Sequence, residues 1–262
     1  MNEWKAFGGR ITLFPTLPPS SSPSSALELY RRIWSNDPDS FQKQDNALLP
    51  TVAQGRRGSL IVNCAAQPAR IDFNLTAALS QAAEEKVALI DHPIELRNEL
   101  THIIDALGND LLTGISRVAL ELRFLNPKAS HAEANKALTE IIPRSFGVTV
   151  TDEEDFIFQI NRPHMSGGLQ DIRMNFITKW SVERFQVFTI LFPMVGATAG
   201  AGVTSPSLQP RMFIAASVAF DNNNNINPGH PLTGKEQSAL LHEAVDATVQ
   251  MQHEIGLNIE GF

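Results

Sequence analysis

The run His242-Glu243-Ala244-Val245-Asp246 gathers more chemically capable side chains than any other short stretch of the chain. Zinc peptidases place two histidines four apart on a helix with a glutamate between them as general base; here Asp246 stands where the second histidine would. At 100° per residue, His242, Asp246 and His253 fall within about 40° of one another on a helix. His242, Asp246 and His253 are thus the candidate metal ligands, and His242, Glu243 and Asp246 the candidate hydrolytic set. The same arithmetic puts Leu240, Leu241, Ala244, Val245 and Met251 on the opposite arc, which must be buried. A stripe facing away from the buried arc is bathed in water and lacks the shaped cavity that a catalytic metal needs. The expectation is an exposed stripe without metal.

The other candidates are weaker. Gly196, Gly200 and Gly202 punctuate a long uncharged segment, but no Gly-Lys-Ser/Thr follows and no helix opens there, so a phosphate cradle lacks its lysine and its dipole. A long loop without charges suits a lid or a partner-binding segment better. Asp221 and the asparagines after it mimic a calcium loop, yet Ile226 occupies the glycine position and Leu232 the bidentate glutamate position, so a polar turn is expected. Cys64 lies in an expected strand with no second cysteine, which reads as a small core residue in a reducing compartment. Arg31, Arg32, Arg56 and Arg57 form two basic doublets. Residues 1–76 carry a formal +2, residues 77–114 carry −5 and the remainder −4, within a net charge of −7. The net charge argues against non-specific nucleic-acid binding; the local surplus would orient a nucleic acid or an acidic partner on the first half, but a solvated helix face is the ordinary reading of the doublets and the one expected.

The elements that would position these groups follow from capping and periodicity. Ser25 with Glu28, Ser130 with Glu133, and Thr233 with Glu236 have capping-box spacing, which predicts helices to about Trp34, Ile142 and Glu254. Asp91 with Pro93 predicts a further helix to Leu107, after a helical region opening near Thr76. Alternation predicts strands over 9–14, 59–65, 69–75, 115–125, 155–161, 169–177, 183–193 and 211–220. Segments 15–24 and 194–210 are expected to be mobile loops. The order strand, helix, strand hairpin occurs twice, with Ile71, Phe73 and Leu75 matched to Ile172, Met174 and Phe176. It reads as an internal duplication.

The expected class is therefore α+β, with two consecutive strand-helix-antiparallel-strands units over 1–112 and 113–262. Helices pack on one sheet face, residues 77–107 form a helical linker, and a long last helix closes the second unit. The element order from about 115 to 255 resembles the helix-grip proteins, a likeness that implies a cavity for an apolar ligand. With 43% hydrophobic and 19% charged residues the chain is expected to be soluble, and neither a secretory leader nor a bilayer-length apolar stretch is read from it. The leading functional expectation is a non-catalytic cytoplasmic binding protein without cofactor, taking a protein partner or a second copy of itself. An apolar small-molecule binder or enzyme comes second, and a metal-dependent hydrolase third. Nucleic acid and membrane are not expected partners.

Overall fold

The computed structural model describes residues 4–16, 25–43, 50–78, 87–150, 156–169, 171–191, 207–225, 230–257, 259 and 261–262, with 188–191 and 207–210 as backbone. The first half contains β1 (Lys5–Pro15), α1 (Ala26–Trp34), β2 (Ser40–Gln42), β3 (Thr51–Arg57), β4 (Leu60–Gln67), β5 (Arg70–Ala77) and α2 (Pro93–Gly108). The second contains β6 (Ile115–Lys128), α3 (His131–Ile141), a 3-10 turn (Arg144–Phe146), β7 (Ile157–Asn161), β8 (His164–Met165), β9 (Arg173–Leu191), β10 (Ser207–Asn224) and α4 (Gly234–Glu254). All strands belong to one antiparallel sheet in the order β2-β3-β4-β5-β1-β6-β10-β9-β7, with β8 on the same edge of β9 as β7.

One sheet replaces the separate sheets expected for the two units. β1 pairs with β6 from Lys5↔Leu125 to Pro15↔Ile115, so the halves join edge to edge and neither central strand leaves an unpaired backbone. Outward from this seam the first half runs β1, β5, β4, β3 and the second β6, β10, β9, β7. Ile71, Phe73 and Leu75 lie on β5, while Met174 and Phe176 lie on β9 and Ile172 just before it.

The period of two sorts side chains onto two very different faces. On one, Ile11 and Leu13 of β1, Phe73 and Leu75 of β5, Leu120 and Leu122 of β6, Val218 and Phe220 of β10 and Trp180 of β9 join a continuous buried cluster. That cluster also holds the buried stripes of all four helices. The packing is close enough to dictate glycine. A Cβ on Gly55 would lie 2.1 Å from the Tyr30 hydroxyl of α1, and one on Gly9 would meet Leu96 and Leu122 at 3.2 and 3.1 Å.

The capping residues start their helices as expected. Ser25, Ser130 and Thr233 each accept a hydrogen bond from the backbone amide three residues on, and at Thr233 the Glu236 carboxylate completes the box. The backbone and side-chain bonds from Thr233, opposed by burial, hold Glu236 below the usual carboxylate range. Asp91 is not the cap of α2; His92 takes that position without a side-chain bond, and Asp91 pairs with Lys5. Gly256, at φ 70°, follows α4.

Other expectations change. β2 and β3 were not anticipated, because a three-residue strand and one interrupted by Gly55 carry weak alternation. β5 runs through Ala77, so no helix opens at Thr76; residues 79–86 lie outside the described residues. The strands expected over 169–177 and 183–193 are the single strand β9, in which Lys179 and Ser181 occupy one face of a continuous ladder. Asp221 to Asn224 belong to β10 rather than to a turn. Asn222 donates to the Ala244 carbonyl and the Thr248 hydroxyl of α4, while Asn224 accepts from Val118 N and donates to the Ser116 carbonyl. The Asn224 amide thus bonds through both its ends, as a strand interior requires, whereas the Asn222 Oδ1 is buried without a hydrogen-bond partner among the described residues. Of the two expected mobile loops, 17–24 and 192–206 lie outside the described residues. Among those described, no helix is long and apolar enough to cross a membrane.

Candidate functional site

The face without helices carries a chain of alternating charges across its centre. Arg10 of β1 pairs with Glu121 of β6; Arg123 reaches Glu121 at 3.3 Å and Glu183 of β9 at 3.3 Å; Ser181 donates to Glu183 at 3.2 Å. Pairing register makes the chain. Arg10 lies opposite Glu121, Arg123 opposite Gly8, and Glu121 opposite Asp221 of β10. Farther out, Asp72 of β5 accepts from the Thr12 hydroxyl at 2.6 Å and from both ends of the Arg70 guanidinium. These pairs are one-third exposed or less on the acid side, so each contributes about 0.2–1 kcal/mol and all weaken with salt.

An aromatic pair bends this face inward. Phe7 occupies the register shift between Ala6 and Gly8, where a bulge re-aims it toward the helix-free side. Its ring lies 5.4 Å from that of Phe185 on β9, and the Arg123 guanidinium sits 5.9 Å from the Phe7 ring. A flat sheet would hold β1 and β9, three spacings apart, at about 14 Å. The sheet therefore curls with the charged face inside. Beneath lie Leu125, Ala215, Ala219 and Ser217, all buried, and the three apolar ones stand outside the cluster that the helices cover. The Ser217 hydroxyl is buried without a hydrogen-bond partner. Two small clefts flank the charge chain, one of about 170 Å3 between Arg123, Lys179, Glu183 and Asp221, the other of about 160 Å3 between Phe7, Arg10, Asn74 and Glu121.

None of these residues was singled out from the sequence. Their signal is a charged or polar residue at every second position of an apolar strand, as in Leu120-Glu121-Leu122-Arg123-Phe124 and Lys179-Trp180-Ser181-Val182-Glu183. It shows one polar face per strand but not which strands lie side by side.

The residues that were singled out are placed elsewhere. His242 Nε2 lies 2.9 Å from Asp105 Oδ1, tying α4 to α2, while Asp246 and His253 are exposed farther along α4. The structure does not bring His242, Asp246 and His253 together with one another as a metal-holding group. Glu243 turns to the segment after β8. It accepts from the Ser166 hydroxyl at 2.6 Å and from Gly167 N at 3.2 Å, with His164 Nε2 at 3.1 Å. Burial pushes its carboxyl up, but these bonds outweigh burial and leave it below its ordinary value. Serine and histidine both meet the same carboxylate, so there is no serine-to-histidine relay; the arrangement docks a loop onto α4.

Each residue of the basic doublets has a partner within the chain. Arg32 pairs with Glu28 one turn back, Arg31 with Asp37, and Arg56 donates to the Gly58 carbonyl. Arg57 bonds Asn36 and lies 5.8 and 5.7 Å over the rings of Tyr30 and Trp34. Burial raises the Tyr30 hydroxyl above its ordinary value even with Arg57 opposing it. Cys64 is fully buried, which pushes its thiol far above the reactive range, as does the Asp72 charge. Gly196, Gly200 and Gly202 lie outside the described residues. The sequence matches no known family model and no curated protein.

Proposed function

We propose that this chain is a non-catalytic binding protein of the cytoplasm that takes its partner, another protein or a second copy of itself, on the helix-free face of the sheet. The observation that carries the reading is the partition of the sheet. The buried stripes of all four helices join the cluster on one face, while the other curls around a charge chain and holds buried apolar side chains that stand outside that cluster among the described residues. An antiparallel sheet tolerates a wet face, but a wet face needs neither a ring pair bridging β1 to β9 nor clefts between paired charges. The single cysteine, buried and unpaired, agrees with a reducing compartment.

The same reading holds the sheet to be two copies of a β-α-βββ-α unit meeting at the β1–β6 seam. Its support is the matching outward strand order, together with α2 packing on β1 and α4 packing on β6. The face is then shared between the copies and lies across their junction, where a recognition surface of useful area can form. The apolar-ligand reading draws less support, because α4 closes on β6 and β10 with Leu240, Leu241 and Ala244 buried and Asn222 bonded to it.

The test compares the two sides. Asn63→Arg with Asn74→Arg adds bulk to the helix-free face; Lys136→Glu with Lys235→Glu changes only the helix side. Wild type and the helix-side variant should recover the same stoichiometric partner from native lysate, and the face variant should lose it. Retention by the face variant with loss from the helix-side variant would overturn the reading.

A further inference from the structure

The cleft between β9 and β10 is lined by three carboxylates and two cations, and Arg10, paired with Glu121 beside it, brings the group to charge balance without evening its pairing. Among its lining residues, Glu121 and Glu183 are both engaged by Arg123, with Arg10 adding a second partner to Glu121. Lys179 has no ion pair among the described residues. Asp221 has only a hydrogen bond from the Asn223 amide at 3.0 Å, although it stands directly opposite Glu121, a like-charge juxtaposition that costs stability unless a cation relieves it. Lys179 and Asp221 are diagonal neighbours on one face, since Lys179 pairs with Ala219 and Asp221 with Ile177. Their Cβ atoms are therefore about 7 Å apart. One unmatched cation and one unmatched anion thus face a cleft of about 170 Å3 that Gln159 and Ala219 also line.

We infer that this cleft binds a small zwitterion of the free α-amino acid class, its ammonium on Asp221 and its carboxylate on Lys179. The two charged groups of such a molecule sit about 2.5 Å apart across one Cα, and with a hydrogen bond of about 2.8 Å at each end they span a diagonal pair whose lysine arm is adjustable. A neutral dipolar ligand leaves the Arg10–Glu121–Arg123–Glu183 chain undisturbed, whereas a lone anion or cation meets a matched charge of its own sign. The inference rests on the helix-free face being the recognition surface and names a ligand class for part of it.

Calorimetric titration of the full chain with glycine, alanine and glutamine, and with acetate and methylammonium as single-charge controls, decides it. The expected result is saturable one-to-one binding of the amino acids, with the controls at least about tenfold weaker. Asp221→Asn and Lys179→Met should each weaken binding about tenfold, and the swap Lys179→Asp with Asp221→Lys should recover part of it, since opposite charges again face the cleft. All three variants should keep the wild-type circular dichroism. No saturation by any amino acid up to about 10 mM, or equal affinity in wild type and Asp221→Asn, would overturn the inference. A chain that captures its partner through the face but ignores amino acids would sink this inference alone; loss of both would sink the reading beneath it.

Discussion

The two faces of the sheet are built from the same strands and differ in every second residue. On the helix side Ile11, Leu120 and Phe220 are fully buried in one cluster, and Asn222 there is bonded to Ala244 and Thr248 of α4. On the other side the neighbours Arg10, Glu121 and Asp221 are charged and partly wet. Removal of apolar surface from water holds the fold together and is concentrated on the first face. Charges at a partly exposed surface contribute little to stability, and their value lies in specificity. The comparison assigns stability to one side of the sheet and recognition to the other.

The largest effect should come from breaking the helix side. Leu241 is fully buried, and Leu241→Asp places an unpaired charge in the core; a loss of about 4 kcal/mol or more, read by denaturant unfolding, is expected. Next is Gly55→Ala, where the new methyl must displace Tyr30 and with it α1. Overpacking of this kind costs about 1–3 kcal/mol, and pairing it with Tyr30→Phe, which removes the blocking hydroxyl, should recover part of that.

Acid sharpens the comparison at the loop docked by Glu243. Because its folded carboxyl is held below the ordinary 4.5, Glu243 stabilises the native state above that value and ceases to as pH falls through the folded value. Glu243→Gln should cost about 1 kcal/mol at neutral pH and make the fall in stability below about pH 4.5 shallower. An acid limb unchanged in slope would show that the carboxylate is not what holds residues 164–167. The smallest effect belongs to His242→Ala with His253→Ala, a half-exposed pair with Asp105 and an exposed residue. Together they should shift stability by about 0.5 kcal/mol or less in thermal unfolding.

What the sequence reveals tracks how local each signal is. Ser25, Ser130 and Thr233 announce their helices because a cap speaks to an amide three residues away, and Gly256 ends the last helix for an equally local reason. The apolar arc of α4, with Leu240, Leu241, Val245 and Met251, is likewise legible from spacing and is buried in the structure. The strands are harder. β3 is hidden by Gly55, whose reason is a tyrosine 25 positions earlier, and β9 looks broken because Lys179, Ser181 and Glu183 sit between apolar runs while all facing one side. The asparagine run misleads because its amides find partners on α4 and β6, which composition does not show. The candidate face is the least legible part. Arg10 and Glu121 are separated by 111 residues, and Arg123 and Glu183 by 60, so only strand order brings them together.

The most direct test of the account replaces the charge chain by neutral side chains of similar volume, Arg10→Met, Glu121→Gln, Arg123→Met and Glu183→Gln, and measures stability and partner binding on the same protein. Exchanging a paired ionic network for neutral groups is often close to neutral for folding. The account predicts an unfolding free energy within about 1 kcal/mol of wild type, together with loss of the partner that wild type recovers. A fall of more than about 3 kcal/mol with the partner retained would contradict it, and would make the charge chain part of what holds the fold.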